Sequence, residues 1–290
     1  MVWHNDNHGS ETESETKIAQ MLMDRIRDSV RLCMHDCSGV AFSGGIDSSL
    51  IAFVAASMNP EIGLYAIGMR GSHDMKQAEK AATLLGLHDR LHLCECTPED
   101  IKSALLPVMH ATGSTNPVAV GIGLCMYFVS GCASKYGASV LLTGQGADEL
   151  FAGYKRYEQV FDDGGLDREL ERDMLALHDQ VERDAAVARL NGVELRMPML
   201  CSGVIDLARE IDAGLKIRRQ DGYIRKYILR RASAGHLPAE LAQAPKKAAQ
   251  YGTGIQNVLR RMARRDGVTQ GEFLAQTRSR NLRQSGFSAF

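Results

Sequence analysis

One short segment, SGGIDSS starting at Ser43, combines residue types that bind phosphate groups. Gly44 and Gly45 would let the backbone approach a phosphate chain, with their N–H groups and those of the following helix pointing towards it. Ser43 and Ser48 add hydroxyl donors. Asp47 would be repelled by bare phosphate, so we expect it beside a magnesium ion or another positive group. The alternative is a generic strand-to-helix turn capped by serines, and the combination of glycines, serines and an aspartate favours phosphate binding.

A second glycine-rich turn, TGQG starting at Thr143, also follows a short apolar run. Strands that alternate with helices along a chain form a parallel sheet covered on both faces. In such sheets ligands bind at the carboxyl ends of the strands, which is where both turns fall. The sequence therefore predicts an α/β fold with a ligand site at the two turns. Strands are predicted at 40–42, 62–68, 91–93 and 139–142, and helices at 50–56, 74–85, 97–109 and 118–135.

After Tyr154 the pattern becomes helical, with charged faces and no convincing strand. We expect residues 155–258 to be helices packed against the sheet portion, about 38–154, with loops at Glu194–Met199 and Pro245–Gly254. The polar, acidic stretch 1–17 is predicted to be a flexible leader, and 259–290 a basic C-terminal tail.

Several segments resemble known families. The first loop resembles the SGGxDS pyrophosphate loop of the ATP-pyrophosphatase superfamily, and it is unlike the GxxxxGK[ST] loop of γ-phosphate transfer. Further segments, in the same order as in the family, resemble the synthetase domain of class-B asparagine synthetases: Ile67-Gly68 with Gly71-Ser72 and Asp74, TGQGADELFAGY from Thr143, GVELRMP from Gly192, KYILR from Lys226, and Lys246 followed by Gly252-Thr253-Gly254. The resemblance spans about residues 38 to 258.

The resemblance implies an enzyme that cleaves ATP to AMP and pyrophosphate, adenylates a carboxylate, and forms an amide with ammonia or an amine. Asp47 and Asp148 would lie near Mg²⁺. Lys246 would neutralise charge at the α-phosphate or the acyl intermediate, and Gln145 and Asp148 would join it as catalytic residues. For Glu194 and Arg196 a structural ion pair and a substrate contact both remain open. The residues implied to bind ATP or pyrophosphate are Ala41, Ser43, Gly44, Gly45, Asp47, Ser48, Ile67, Gly68, Thr143 and Gly144.

Three positions depart from the family pattern. Gln145 replaces an acidic residue suited to deprotonating ammonia, Gly121 stands where asparagine synthetases commonly have arginine, and Cys201 stands where aspartate is usual. An amide cannot take up a proton near neutral pH. Aspartate is the first candidate substrate, and because of these departures another carboxylate is the alternative.

We expect no counterpart of the family's N-terminal glutaminase domain, since Val2 follows Met1 and about forty residues precede the first strand. We therefore expect a stand-alone synthetase domain that takes nitrogen from free ammonia, a partner glutaminase or a substrate amine. A homodimer is possible.

The overall net charge of −1 conceals a C-terminal segment, 216–290, whose net charge is +12. Such a segment suits polyphosphate or nucleic acid, or solvated arginine-rich helices. A tRNA-modifying enzyme of the same superfamily and a non-catalytic nucleotide-binding subunit are thus the alternative functions.

The composition predicts a cytoplasmic protein without a membrane span, because the apolar run 118–130 is interrupted by glycine and shorter than a span requires. The seven cysteines are expected to be reduced thiols. A metal site at Cys33 and Cys37, or at Cys94 and Cys96, is the alternative.

Overall fold

The computed structural model describes residues 13–244 and 252–284. Five strands form a parallel sheet in the order β3-β2-β1-β4-β5, and two more form an antiparallel hairpin. The strands are β1 Ser38–Ala41, β2 Gly63–Gly68, β3 Leu91–Glu95, β4 Val140–Leu142, β5 Glu194–Arg196, β6 Ile217–Arg219 and β7 Tyr223–Arg225. The helices are α1 Glu13–Cys33, α2 Ile46–Met58, α3 His73–Leu84, α4 Pro98–Thr112, α5 Pro117–Lys135, α6 Ala147–Leu150, α7 Tyr157–Asp162, α8 Leu166–Arg189, α9 Ser202–Glu210, α10 Ala213–Lys216, α11 Tyr227–Ser233, α12 Ala239–Ala242, α13 Ile255–Arg265 and α14 Gln270–Gln284.

Both faces of the parallel sheet are covered by helices. Successive side chains of a strand point to opposite faces. In β2, Leu64 and Ala66 join a core that includes residues of α1, α2 and α11, whereas Tyr65 and Ile67 join a second core with α4, α5 and α13. This arrangement confirms the predicted α/β class with a parallel sheet between two helical layers and a helical C-terminal part.

The strand order places the two glycine-rich turns side by side. From β1 the chain moves to β2 and β3 on one side, and β4 and β5 then lie on the other side of β1. The central neighbours β1 and β4 pair from Ser38 with Val140 to Val40 with Leu142. Connections that leave in opposite directions open a crevice at the carboxyl ends of the two strands. The turns at Ser43 and Thr143 lie at this crevice.

The prediction of no strand after Tyr154 is wrong. Strand β5 extends the sheet by pairing Leu195 with Leu141, and the β6–β7 hairpin follows later in the chain. Each of these strands has three residues, which is too short for an alternating pattern to stand out against helical periodicity. Their pairing depends on distant partners, so the local sequence carries little signal for them.

Two predicted boundaries fall inside helices. Helix α1 begins at Glu13, within the stretch expected to be a flexible leader, and Glu15 is buried where it accepts hydrogen bonds from Arg218 at 2.6 Å and Tyr227 at 3.1 Å. These tertiary contacts stabilise a first turn that composition alone describes as polar. The tail boundary at 258 lies within α13, whose Leu259 is buried against the sheet core.

Helix α5 is long and apolar enough to cross a membrane, with a mean hydropathy of 1.6, and half of its most apolar window is buried inside the fold. It packs on α4, α8 and β2. A position in the core therefore accounts for its apolar composition.

The expectation that every cysteine is a reduced thiol is wrong for one pair. Cys94 at the end of β3 forms a disulfide with Cys132 of α5, thirty-eight residues later in the chain. The two residues are distant in sequence, and only the packing of α5 on the sheet brings them together.

Candidate active site

The first loop has the geometry of a phosphate cradle. Gly44 has a φ of 71°, and a Cβ there would lie 2.6 Å from the carbonyl oxygen of Gln77, so the turn requires glycine. The Ser48 hydroxyl accepts a hydrogen bond from the backbone N–H of Ser43 at 3.2 Å. Helix α2 begins at Ile46, so its free N–H groups face the end of the loop. The N–H groups at the start of a helix are suited to binding an anion, and the loop is shaped to admit one there.

The second loop touches the first. A Cβ on Gly144 would lie 2.9 Å from the Cβ of Asp47, so the two turns approach at a distance that only glycine permits. Thr143, at the end of β4, is buried. Asp148 follows in the first turn of α6. The fold therefore brings together the two segments that the sequence singled out.

Lys226 joins the two loops. Its ammonium group lies 2.7 Å from both carboxylate oxygens of Asp47 and 2.7 Å from Oδ1 of Asp148, and the side chain is 2% exposed. Gly153 leaves the space that the lysine stem occupies, because a Cβ there would lie 2.3 Å from its Cε. Burial lowers the pKa of Lys226, and the attraction of Asp47 opposes that shift. One buried cation thus holds two carboxylates at the crevice.

This pair of carboxylates fits the predicted magnesium site. Hard carboxylate oxygens are the ligands that Mg²⁺ prefers, and the ion usually completes its shell with water and substrate phosphate. Asp47 and Asp148 share one ammonium group, so their oxygens converge on a small volume. Across residues 13–244 and 252–284, no group of three or more His, Cys, Asp or Glu side chains could hold a metal by itself. That finding also removes support for a metal site at the described cysteine pairs.

The expected adenosine-binding residues lie at the carboxyl ends of neighbouring strands. Ala41 ends β1, and Ile67 and Gly68 end β2. The residue after β2, Met69, donates its backbone N–H to the carbonyl oxygen of Thr253 at 2.9 Å. The C-terminal part of the expected lysine loop therefore packs beside the predicted adenosine site. Lys246 itself lies outside the described residues.

Helix α11 connects this site to the segment that leads to Lys246. Arg230 lies one helical turn after Lys226 and donates to the carbonyl oxygens of Ala242 at 2.6 Å and Ala244 at 3.2 Å. The same helix thus binds the two acidic loops at its start and the segment before Lys246 further along. The sequence alone assigns no role to Lys226 or Arg230, although both lie in the KYILR segment that resembles the family motif.

Each of the three residues that depart from the family pattern contacts one particular neighbouring side chain. Gln145 donates from Nε2 to Oδ2 of Asp184 at 2.6 Å. Gly121 faces Gln256, whose Oε1 would lie 2.3 Å from a Cβ at position 121. Cys201 contacts Cys33, and their Sγ atoms lie 3.7 Å apart.

Glu194 and Arg196 form an ion pair with a distance of 2.8 Å between Nε and Oε1. Arg196 also donates to the carbonyl oxygen of Cys33 at 3.2 Å, which caps the end of α1. Glu194 is 61% exposed. These contacts favour a structural role for Glu194 and Arg196 at the edge of the sheet.

The fold and the loops define a class of protein, namely a doubly wound α/β domain with a glycine-rich loop at its switch point and paired acids beside it. The family model for asparagine synthase matches residues 21–163 and 158–285. The chain belongs to the asparagine synthase family.

Individual relatives agree with this assignment. The chain is 34% identical, over 82% of its length, to a protein of Methanocaldococcus jannaschii whose name, glutamine-hydrolyzing asparagine synthetase 1, is a provisional one. It is 29% identical over 75% of its length to asparagine synthetase B of Escherichia coli, and 28% identical over 87% to asparagine synthetase 2 of Oryza sativa. The matched regions cover 50%, 41% and 45% of these relatives, so the chain spans about half their length.

The Lys226 contacts generate a prediction about stability. Lys226→Met should lower the free energy of unfolding by about 3–5 kcal/mol, because it leaves two partly buried carboxylates without their cation. Excess Mg²⁺ should raise the melting temperature of this variant more than that of the wild type, since the ion can take the place of the ammonium group. Thermal unfolding with and without Mg²⁺ measures both effects.

Lys155→Met is the matched control, because Lys155 is exposed and lies near the same loop. It should melt like the wild type. No Mg²⁺ stabilisation of either the wild type or Lys226→Met would contradict a cation site between Asp47 and Asp148.

Proposed function

We propose that this chain is an ATP-dependent amide ligase that forms AMP and pyrophosphate, adenylating a carboxylate and then joining it to ammonia or an amine. The observation that carries the proposal is the meeting of the Ser43 and Thr143 loops at the switch point, held together by Lys226. Family membership supports the same chemistry. ATP and Mg²⁺ are the expected substrate and cofactor.

In the first step an oxygen of the substrate carboxylate attacks the α-phosphorus of ATP, and the bond from that phosphorus to the bridging oxygen breaks. Pyrophosphate leaves with the electron pair. The backbone donors of Gly44 and Gly45, with the Ser43 and Ser48 hydroxyls, bind the leaving pyrophosphate in this proposal. Asp47 and Asp148 would hold Mg²⁺, which supplies positive charge to the phosphates when bound.

The nucleotide end of the site is assigned from strand ends. Ala41, Ile67 and Gly68 would border the adenine, and Thr143 and Gly144 would contact the nucleotide. Lys246 would approach the α-phosphate, because the segment on each side of it is tied to the site through Arg230 and Thr253. A preorganised cation at a transferring phosphate is a large stabilising contribution.

In the second step ammonia or an amine attacks the acyl-adenylate and AMP leaves. Aspartate with ammonia is the first substrate pair to test. A second candidate is amidation of another carboxylate, and the Gly121–Gln256 contact favours it. Gln256 fills the space where a side chain at position 121 would begin, so an arginine cannot occupy this site without displacing Gln256. The neutral amide of Gln256 thus lies where asparagine synthetases commonly have the positive charge of an arginine.

Free ammonia, a partner glutaminase in trans and a substrate amine are the candidate nitrogen sources. A homodimer and a cytoplasmic location remain predictions. Tight tRNA binding with a steep salt dependence would instead support a tRNA-modifying enzyme. Absence of any substrate-dependent pyrophosphate release would support a nucleotide-binding subunit.

Pyrophosphate release, measured with ATP, Mg²⁺ and a panel of carboxylates, tests the proposal directly. The wild type should release pyrophosphate and AMP when a carboxylate is present. Asp47→Ala should lose at least about 100-fold in rate, since it removes a proposed ligand of the Mg²⁺ that would neutralise the reacting phosphates. Asp36→Ala, which removes an exposed carboxylate just before β1, should leave the rate unchanged. Release of ADP and phosphate would contradict the proposal.

The two adjacent lysines of the loop outside the described residues give a matched pair. Lys246 lies on the family motif position, so Lys246→Ala should cost at least about 100-fold in adenylation rate. Lys247→Ala should cost far less. Equal and small effects at both positions would show that the segment is only a basic surface.

A further inference from the structure

The loop residue Gln145 is fixed from two sides. Its Nε2 donates to Oδ2 of Asp184 on α8 at 2.6 Å, and its Oε1 accepts from the Thr143 hydroxyl at 3.3 Å. Gln145 is half-buried, whereas Asp184 is 1% exposed. The amide therefore spans the distance between a buried carboxylate and the second glycine-rich loop.

Asp184 determines which way this amide points. Its Oδ1 is held by Arg183, whose Nε and Nη2 both lie 2.9 Å away, and this leaves Oδ2 for Gln145. An ionised carboxylate only accepts hydrogen bonds, so it must face the NH₂ group of Gln145 and not the carbonyl. The carbonyl oxygen Oε1 is thereby directed towards Thr143 and the nucleotide loop.

The surroundings of Asp184 favour this pairing. Burial raises the pKa of Asp184, and the Arg183 ion pair and the Gln145 hydrogen bond oppose that shift. Cys125 on α5 also interacts electrostatically with Asp184. A carboxylate at position 145 would lie within hydrogen-bond distance of Asp184, and two carboxylates that close cannot both be ionised. The glutamine is the side chain that a neighbouring Asp184 requires.

We propose that Gln145 binds the amine nucleophile through Oε1 in the second step and that Asp184 is the residue that positions it. This proposal rests on the amide-ligase function proposed above. The nitrogen lone pair forms the new C–N bond, and the C–O bond to AMP breaks with its electron pair leaving on AMP. The nitrogen sheds one proton to free ammonia in solution, because the Gln145 amide cannot take it up. The amidation rate should consequently follow the concentration of free amine and rise with pH.

The test separates the two half-reactions of the wild-type chain and of Asp184→Asn. Adenylation is measured as ATP–pyrophosphate exchange with aspartate, glutamate or succinate and no amine. Amidation is measured with ammonium chloride and the carboxylate that gives the most exchange. In Asp184→Asn the new side chain keeps its oxygen towards Arg183 and turns an NH₂ group towards Gln145, which reverses the amide. Exchange should be unchanged, whereas amidation should fall at least about tenfold with a raised KM for ammonia, as expected for one lost hydrogen bond.

A double variant that exchanges the amide and the carboxylate tests whether the lost amidation can be restored. Gln145→Glu alone should lose amidation, since it puts two carboxylates together. The double variant Gln145→Glu with Asp184→Asn restores a donor and an acceptor with their positions exchanged. It should recover amidation and move the rise in rate towards neutral pH, because a carboxylate now faces the amine. Asp173→Asn is the control, since Asp173 lies on the same helix and also pairs with an arginine, Arg156. Both of its half-reactions should match the wild type.

Three results would overturn the positioning role while leaving the ligase intact: an unchanged amidation rate in Asp184→Asn, an equal loss in both half-reactions, or a wild-type amidation rate that levels off near neutral pH. The last would show that Asp184 itself accepts the proton. A wild-type chain that supports no exchange with any of the three carboxylates overturns the ligase proposal, and this one falls with it.

Discussion

The Lys226 ammonium group is the contact on which the site depends. It is buried between Asp47 and Asp148, and it joins three segments that are far apart in the chain: the loop after β1, the turn that opens α6, and the start of α11. Removing an ion from water is costly, and that cost is recovered only when the geometry with its partners is good. Arg230 also interacts electrostatically with Asp47, so a second positive group acts on this pair of carboxylates.

Lys226 also accounts for two local features. It adopts a φ of 55°, which is uncommon for a residue other than glycine, just before α11 begins. Gly153 leaves room for its stem. Strained backbone of this kind persists where the surroundings determine it fully, and such positions cluster at functional sites. Here the contacts of Lys226 with the two carboxylates hold its backbone in this conformation. Arg230 on the same helix contacts the segment that leads to Lys246.

Each residue that departs from the family pattern is explained by the side chain that it contacts. A neutral amide at Gln145 faces the buried carboxylate of Asp184, and the absence of a side chain at Gly121 is matched by the amide of Gln256 that fills its place. Cys201 packs beside Cys33. Burial raises the pKa of Cys33 to about 12, so that thiol is protonated near neutral pH. In each case the changed residue and its neighbour suit each other in charge or volume, so the site differs from the family pattern as a unit.

The sequence by itself determined the parallel α/β class, most of the first four strands, and the two loops that meet at the site. These features are local, because glycines at strand ends and alternating strand and helix patterns are readable from neighbouring residues. Only the tertiary structure decided the three-residue strand β5, the start of α1 at Glu13, the Cys94–Cys132 disulfide, and the partners of Lys226 and Gln145. Each of these depends on contacts between residues distant in the chain, and a spacing rule for nearby residues carries no information about such contacts.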